Sequence, residues 1–200
     1  MLTCRERFEE FSPFVERVLA AYAAFTEFVY GPGAVSEFNV KRTEVKNLRH
    51  GTAELRDTLM YVRRLSGYNW IEALGLPVKN DTLQFNYRTK YERSLQRKIA
   101  WYGRRDQGFA VKKGINDLLG ARLIVHGLRE CEQEWAEHFK NDLGSLVSRV
   151  YIRDDDTYHA LHVYIEDNNR HFPWEIQLWD FNDAETNYAA HDRHEQRKDE

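Results

Sequence analysis

Apolar residues recur at helical spacing from Phe14 to Val29, at Phe14, Val15, Val18, Leu19, Tyr22, Phe25, Phe28 and Val29. Ser12-Pro13 reads as an N-cap followed by proline at the first helical position, and Gly31-Pro32-Gly33 ends the helix. Residues 1–12 read as a separate short helix. Residues 34–51 form a polar, basic connection carrying Lys41, Arg42, Lys46, Arg49 and His50. Thr52 caps a second helix with the stripe Leu55, Leu59, Val62 and Leu65, ended by Ser66-Gly67. Residues 68–74 add a turn or two, closed by Gly75 and Pro77.

The period then changes. Residues 83–90 alternate, with Phe85 and Tyr87 on one side and Asn86, Arg88 and Lys90 on the other, as in a strand. A helix follows with Leu95, Ile99 and Tyr102 on its apolar face, ending at Gly103. After Arg104-Arg105 and a loop with Lys112-Lys113 come a strand at 121–126 and a charged helix at 130–142. Three strands (146–152, 158–166, 173–179) and a polar helix (183–198) complete the chain. This order, α-α-β-α-β-α-β-β-β-α, specifies an α+β domain: a mixed sheet with flanking helices. Residues 1–80 read as an N-terminal helical extension and 81–200 as the domain that carries the chemistry.

At 42% hydrophobic and 14% aromatic residues, the 200-residue chain can build a core of one domain. No apolar run is long enough to span a membrane, and the charged N-terminus is unlike a signal peptide. Cys4 and Cys131, far apart, make neither a disulfide framework nor a zinc-ligand spacing, so the expectation is a reducing, cytoplasmic protein. Of 29 Lys/Arg and 32 Asp/Glu, 17 and 7 fall between Lys41 and Lys113. So basic a middle third suits a polyanion, nucleotide phosphates or nucleic acid; a solvated helix surface is the plainer alternative.

Four clusters can share one site. Arg88, Lys90, Ser94 and Lys98 put cations and a hydroxyl one turn apart at a helix start, where free N–H groups favour phosphates. Asp117 and Arg122 sit at the mouth of a strand, with Gly120 between them; a carboxylate there can hold a metal and the arginine the phosphates it carries. Tyr158, Ala160, His162 and Tyr164 share one strand face, and an exposed Tyr158 at the strand start can stack on a base. In Trp174–Trp179, Ile176 and Leu178 mark the core face and put Glu175 and Gln177 on the other. A glutamate inside an aromatic strand is costly to bury unless paired or metal-bound, which makes Glu175 the best candidate for a functional acid. His191 and His194, three apart on the last helix, can ligate a metal, although a solvated pair is the plainer reading.

In order and spacing these segments resemble the RelA/SpoT-type pyrophosphokinase domain, the synthetase of the alarmone (p)ppGpp. The resemblance rests on NYRTKYERSLQRK (86–98), DLLGAR (117–122), TYHALH (157–162), EIQLWD (175–180) and AAH (189–191), and covers about residues 84–198. It implies a nucleotidyltransferase-like synthetase fold that transfers the β,γ-pyrophosphate of ATP to a ribose 3′-hydroxyl. By that resemblance Asp117 and Glu175 hold Mg²⁺ and Glu175 is the base. Arg88, Lys90, Ser94, Lys98 and Arg122 grip the ATP phosphates, and Arg104 or Arg105 meets adenine or phosphate. Tyr158 stacks on the acceptor base with His162 and Gln177 nearby. The chain departs from the family pattern at Thr157, His159, Trp179 and Asp180, and Asp154-Asp155-Asp156 precede Tyr158. Aspartates beside the acceptor loop repel a 5′ di- or triphosphate. The expected acceptor is therefore the tRNA 3′ CCA end, as in the toxic small alarmone synthetases of toxin–antitoxin systems, with GDP or GTP as the alternative. Lys41, Arg42, Lys46, Arg49, Lys112 and Lys113 would track RNA phosphates. A protein antitoxin is a possible partner of the N-terminal third, and a monomer or weak dimer is expected. An inactive nucleotide- or RNA-binding module is the remaining alternative.

Overall fold

The structure is a computed structural model and describes residues 2–31, 37–104, 108–155 and 157–196, the last three without their side chains. The chain opens with α1 (Cys4–Tyr30), capped by Thr3, whose hydroxyl accepts from the Glu6 amide while the Glu6 carboxylate returns to the Thr3 amide. The expected break at Ser12-Pro13 does not occur: α1 runs through Pro13. Proline inside a helix costs about 3 kcal/mol, in part through the carbonyl it leaves unpaired. Here that carbonyl, of Glu9, accepts from the Ser12 hydroxyl (3.4 Å). Burial of Phe8, Phe11, Val15, Val18, Tyr22, Phe25 and Val29 along one stripe outweighs the remainder.

Residues 37–52 are less polar in space than in sequence. Val40, Val45 and Leu48 are buried, and Val45–Asn47 make one 3-10 turn. Then follow α2 (Ala53–Gly67), capped by Thr52 as its position implied, and the short α3 (Trp70–Leu74), closed by Gly75 at φ 79°. β1 (Val78–Lys79) and β2 (Leu83–Thr89) lead to α4 (Glu92–Gly103). The Lys112-Lys113 segment is one helical turn, α5 (Val111–Gly114), rather than a loop. β3 (Leu119–Val125), α6 (Leu128–Asn141), β4 (Val147–Asp155), β5 (Tyr158–Ile165), β6 (Trp174–Asp180) and α7 (Ala184–Gln196) complete the described chain.

The strands form one mixed sheet in the order β1-β2-β3-β6-β5-β4, antiparallel throughout except for the central pair β3–β6. One face is the core face. Leu123, Leu161, Val163, Ile165, Ile176 and Leu178 pack there in a cluster that also takes in the buried residues of α1, α2 and α6. Phe25 stands at its aromatic centre, with the rings of Tyr61, Tyr68, Trp70 and Trp174 within 5.8 Å. Among the described residues no helix is long and apolar enough to cross a membrane.

The cysteines depart from expectation. α1 packs against α6, where Phe11 lies edge-on to Trp135 at 4.9 Å and the Trp135 indole donates to the Cys4 carbonyl (2.8 Å). That contact brings Cys4 and Cys131 together in a disulfide, Cα–Cα 5.4 Å. Sequence spacing gave no sign of it, because a separation of 127 residues is closed only by the packing of these two helices. Cross-linking a loop of this length stabilises by about 4–5 kcal/mol in the chain-entropy account. Reduction, or Cys4→Ser, is therefore expected to lower Tm by roughly 10 °C, measured by thermal unfolding with and without reductant. An unchanged Tm would show that the bridge contributes nothing.

Candidate functional site

The face of the sheet opposite the core carries the polar constellation, and strand register lays it out in rows. Arg88, Gly120, Glu175 and Tyr164 are successive cross-strand partners in one row. Asn86, Arg122, Gln177, His162 and Tyr151 form the next. In the row beyond, Ile124 pairs with Trp179, and these join Ala160 and Tyr158 in a small apolar cluster that also touches Ala184 and Ala190 of α7. α7 thus closes one end of this face. Beside it opens a cleft of about 710 Å³ lined by Arg88, Lys98, Asp117, Tyr158, Glu175 and, from α7, Arg193 among others.

Glu175 is 6% exposed. Its Oε1 accepts from the Tyr164 hydroxyl (2.6 Å) and pairs with His162 Nδ1 (2.8 Å), while Oε2 accepts from Gln177 Nε2 (2.8 Å). Burial pushes its carboxyl up, but the hydrogen bonds from His162 and Tyr164 outweigh it and hold Glu175 below the usual carboxylate range. Burial and the adjoining carboxylate raise the Tyr164 hydroxyl well beyond its ordinary value, so it remains a donor. The Tyr158 hydroxyl is pushed up to about 12, chiefly by burial.

Asp117, just before β3, is the second acid. Its two oxygens take the ammonium groups of Lys90 (2.7 Å) and Lys98 (2.8 Å). Burial opposes the charge, yet the two lysines overcome it and hold Asp117 far below the usual range. The backbone places Lys90 by extending the β2–β3 ladder, its amide bonded to the Leu118 carbonyl (2.8 Å), and α4 places Lys98.

The geometry sorts the sequence candidates. Asp117, Glu175, Arg88, Lys98, Tyr158, His162 and Gln177 converge on the cleft. Ser94 lines a smaller adjoining cavity with Arg88 and Lys90. Lys90 and Lys98, expected on phosphates, are engaged by Asp117. Arg122 sits over Trp179, its guanidinium carbon 3.6 Å from the ring centre, and donates to Gln177 Oε1 (3.2 Å). Arg104 is exposed at the end of α4 and does not line the cleft. Arg105, Asp156 and the His194 side chain lie outside the described residues, so the His191–His194 pairing does too.

Tyr158 is not the exposed stacking ring that its strand-start position implied. It is 8% exposed, because β5 is an inner strand with β4 beyond it and α7 packs over this end. Its hydroxyl bonds Trp179 Nε1 (3.3 Å) and His162 Nε2 (3.2 Å). The more open ring is Tyr151 on β4, 36% exposed and stacked on His162 (5.1 Å, 12°). Only the β4–β5 register brings it there. Asn187 was also missed. It is fully buried on α7, and its amide bonds both the N–H and the carbonyl of His159 (3.0 and 2.7 Å), fastening α7 to β5. An asparagine in a polar helix carries no sequence signal of that contact.

The donor set limits what metal the site can take. Among the described residues no three His, Cys, Asp or Glu side chains come together as a ligand cage. Two carboxylates on one cleft suit a cation that keeps waters and takes its remaining ligands from phosphates, the habit of Mg²⁺.

The sequence matches no known family model and no curated protein sequence. Among solved structures the chain is similar to the small alarmone synthetase 2 from Bacillus subtilis, at 14% identity and TM-score 0.39, covering 78% of this chain and 80% of that one. It is also similar to a GTP pyrophosphokinase family protein from Streptococcus pneumoniae, at 17% identity and TM-score 0.37, covering 73% and 77%. At these scores the likeness decides nothing for this chain, and the chemistry rests on the side chains of the cleft.

Two outcomes follow from this geometry. Asp117→Asn leaves two buried ammonium groups without a counter-charge and is expected to cost about 3–5 kcal/mol. Because the folded-state value of Asp117 is depressed, its contribution is complete above the unfolded carboxylate value of about 4 and is lost as pH falls below it. Tm against pH should therefore fall below about pH 4 in the parent protein and flatten in Asp117→Asn; parallel curves would refute this account of Asp117. Gly120 has open space where a side chain would stand, between Arg88 and Glu175. Gly120→Leu should fold with little change in Tm and lose nucleotide binding, measured with a fluorescent ATP analogue.

Proposed function

We propose that the chain transfers the β,γ-pyrophosphate of ATP to a ribose 3′-hydroxyl, with residues 81–200 carrying the chemistry. The observation that carries this reading is Glu175, a buried carboxylate surrounded by hydrogen-bond donors beside the Lys90–Asp117–Lys98 cluster in a cationic cleft. Glu175 takes the proton of the acceptor hydroxyl. The freed oxygen bonds to the β-phosphorus, the bond from that phosphorus to the α–β bridging oxygen breaks, and AMP leaves with the electron pair. Phosphoryl-type transfer asks for positioning and charge neutralisation rather than a covalent intermediate, which suits a cleft lined by carboxylates and arginines. Arg88, Arg153 and Arg193 line the cleft for the phosphates. Lys90 and Lys98 can exchange Asp117 for phosphate oxygens as ATP enters. Mg²⁺, held by Asp117 and Glu175 together with the phosphates, would supply further neutralisation of their charge.

For the acceptor we favour the 3′ end of tRNA, which would make the protein a translation-inhibiting toxin. Of the basic residues expected along an RNA path, Lys41, Lys112 and Lys113 line one cavity with Arg149 and Tyr164, adjoining the cleft. Lys46 is paired with Glu44 (2.6 Å), and Arg49 donates to the Lys46 carbonyl (2.9 Å). A specific observation favours the second reading, alarmone synthesis from GDP or GTP. Asp155 is bridged by Arg153 (2.8 Å) and Asp154 by His159 (3.0 Å), so less negative charge faces a 5′ diphosphate than the sequence suggests.

The deciding assay offers Mg²⁺ and γ-labelled ATP with deacylated tRNA, GDP or GTP in separate reactions. Label in tRNA that disappears once the 3′-terminal adenosine is removed is the expected result. Label in a guanine nucleotide alone selects the alarmone reading. Glu175→Gln should lower transfer at least about a hundredfold. No transfer to any acceptor, with ATP still bound, would replace catalysis by nucleotide binding.

A further inference from the structure

We propose that Trp179 is a positioning residue that anchors the far ends of the two hydrogen-bond arms converging on Glu175. The inference rests on the reading of Glu175 as the base. Trp179 is fully buried and stands where the resembled family carries an arginine. It touches both arms of the network around Glu175.

The first arm begins at its indole N–H, which can only donate. It donates to the Tyr158 oxygen (3.3 Å). The Tyr158 hydroxyl is buried, and its own proton has His162 Nε2 (3.2 Å) as its partner. Nε2 is then the accepting nitrogen of the imidazole and Nδ1 the donating one. Nδ1 faces Glu175 Oε1 at 2.8 Å. A residue with a hydroxyl or carbonyl in place of the indole could accept from Tyr158 and take its proton away from His162 Nε2, leaving only the Glu175 end of the arm fixed.

The second arm begins at the indole face. The Arg122 guanidinium lies on it at 3.6 Å, a contact worth about 1–2 kcal/mol when shielded from water. Held there, Arg122 donates to Gln177 Oε1 (3.2 Å). That fixes the orientation of the amide, whose Nε2 donates to Glu175 Oε2 (2.8 Å). With the Tyr164 hydroxyl on Oε1 (2.6 Å), both oxygens of Glu175 meet donors only. An arginine at 179 would also offer N–H groups, but it would press a second guanidinium against Arg122. Tryptophan orients both arms without adding charge.

Trp179→Phe separates the two contributions, since it keeps an aromatic face under Arg122 and removes the N–H. Tyr158→Phe removes the next link and is the milder change. The full chain, with ¹⁵N-labelled histidine, is observed at one pH. In the parent, His162 should show a bare, accepting Nε2 and a protonated Nδ1. Both variants should shift the Nε2 resonance while the other histidines and the fold remain unchanged. In the transfer assay each variant should lose roughly tenfold in kcat, the usual size for an outer hydrogen-bond partner, with KM for ATP unchanged. The double variant should be no slower than Tyr158→Phe alone. A His162 spectrum unaltered by Trp179→Phe, or single losses that multiply in the double variant, would overturn the proposal. Should the parent transfer no label at all, the proposed function fails, and the His162 spectrum still decides the role of Trp179. Should Trp179→Phe not fold, Tyr158→Phe carries the spectroscopic test, and an unchanged Nε2 resonance there counts against the proposal.

Discussion

Two carboxylates withdrawn from water at one end of a sheet govern the arrangement of the whole polar face. An ionised carboxylate in a dry site is untenable without donors or counter-charges, and the penalty runs to several kcal/mol. The two are satisfied in different ways. Asp117 is met by charge, from Lys90 and Lys98, and Glu175 by hydrogen bonds, from Tyr164, His162 and Gln177. A charge-neutralised acid can exchange its partners for phosphates. An acid held by several hydrogen bonds keeps its lone pairs oriented. The difference in environment gives two similar residues different chemical prospects.

Both solutions depend on the register of the central parallel pair. β3 and β6 align Gly120 with Glu175 and Arg122 with Gln177, and the antiparallel pairing of β5 adds Tyr164 and His162 to the same rows. A slip of one residue would turn Glu175 into the aromatic core and Ile176 into the cleft. The apolar rows on the opposite face, Leu123, Leu161, Val163, Ile176 and Leu178, make such a slip prohibitive. The core therefore determines where the chemistry stands. Gly120 contributes by having no side chain, and nothing lies within 4 Å of where one would stand between Arg88 and Glu175.

The N-terminal helices serve this arrangement from behind. α1 threads its aromatic stripe under the sheet, where Tyr22 and Phe25 meet Trp174, the residue preceding Glu175. Trp174 is further tied by its indole to the Tyr61 hydroxyl (2.8 Å). The start of β6 is thus anchored through the core to α1 and α2, and the Cys4–Cys131 bridge fastens α1 to α6. On the other face Asn187 holds α7 against β5, which keeps His191 and Arg193 at the cleft wall.

Much of this was legible in the sequence, because periodicity and residue type act locally. The alternation from Leu83 to Thr89 and around Glu175 placed strands and told their two faces apart. The cost of a glutamate among tryptophans singled out Glu175, and Thr52 declared its helix start. What the sequence could not supply were relations between distant segments. Pro13 fits a helix start locally, and only burial of the stripe on both sides carries α1 through it. Tyr158 reads as exposed until β4 and α7 cover it, and Tyr151 carries no signal until strand pairing sets it against His162. The cysteines became partners through helix packing, and Trp179 stood out in the sequence only as a departure from the family pattern. Its contacts with Tyr158 and Arg122, 21 and 57 positions away, exist only because three strands and a helix close around it. Local chemistry determined which residues were candidates, and long-range packing decided which of them meet.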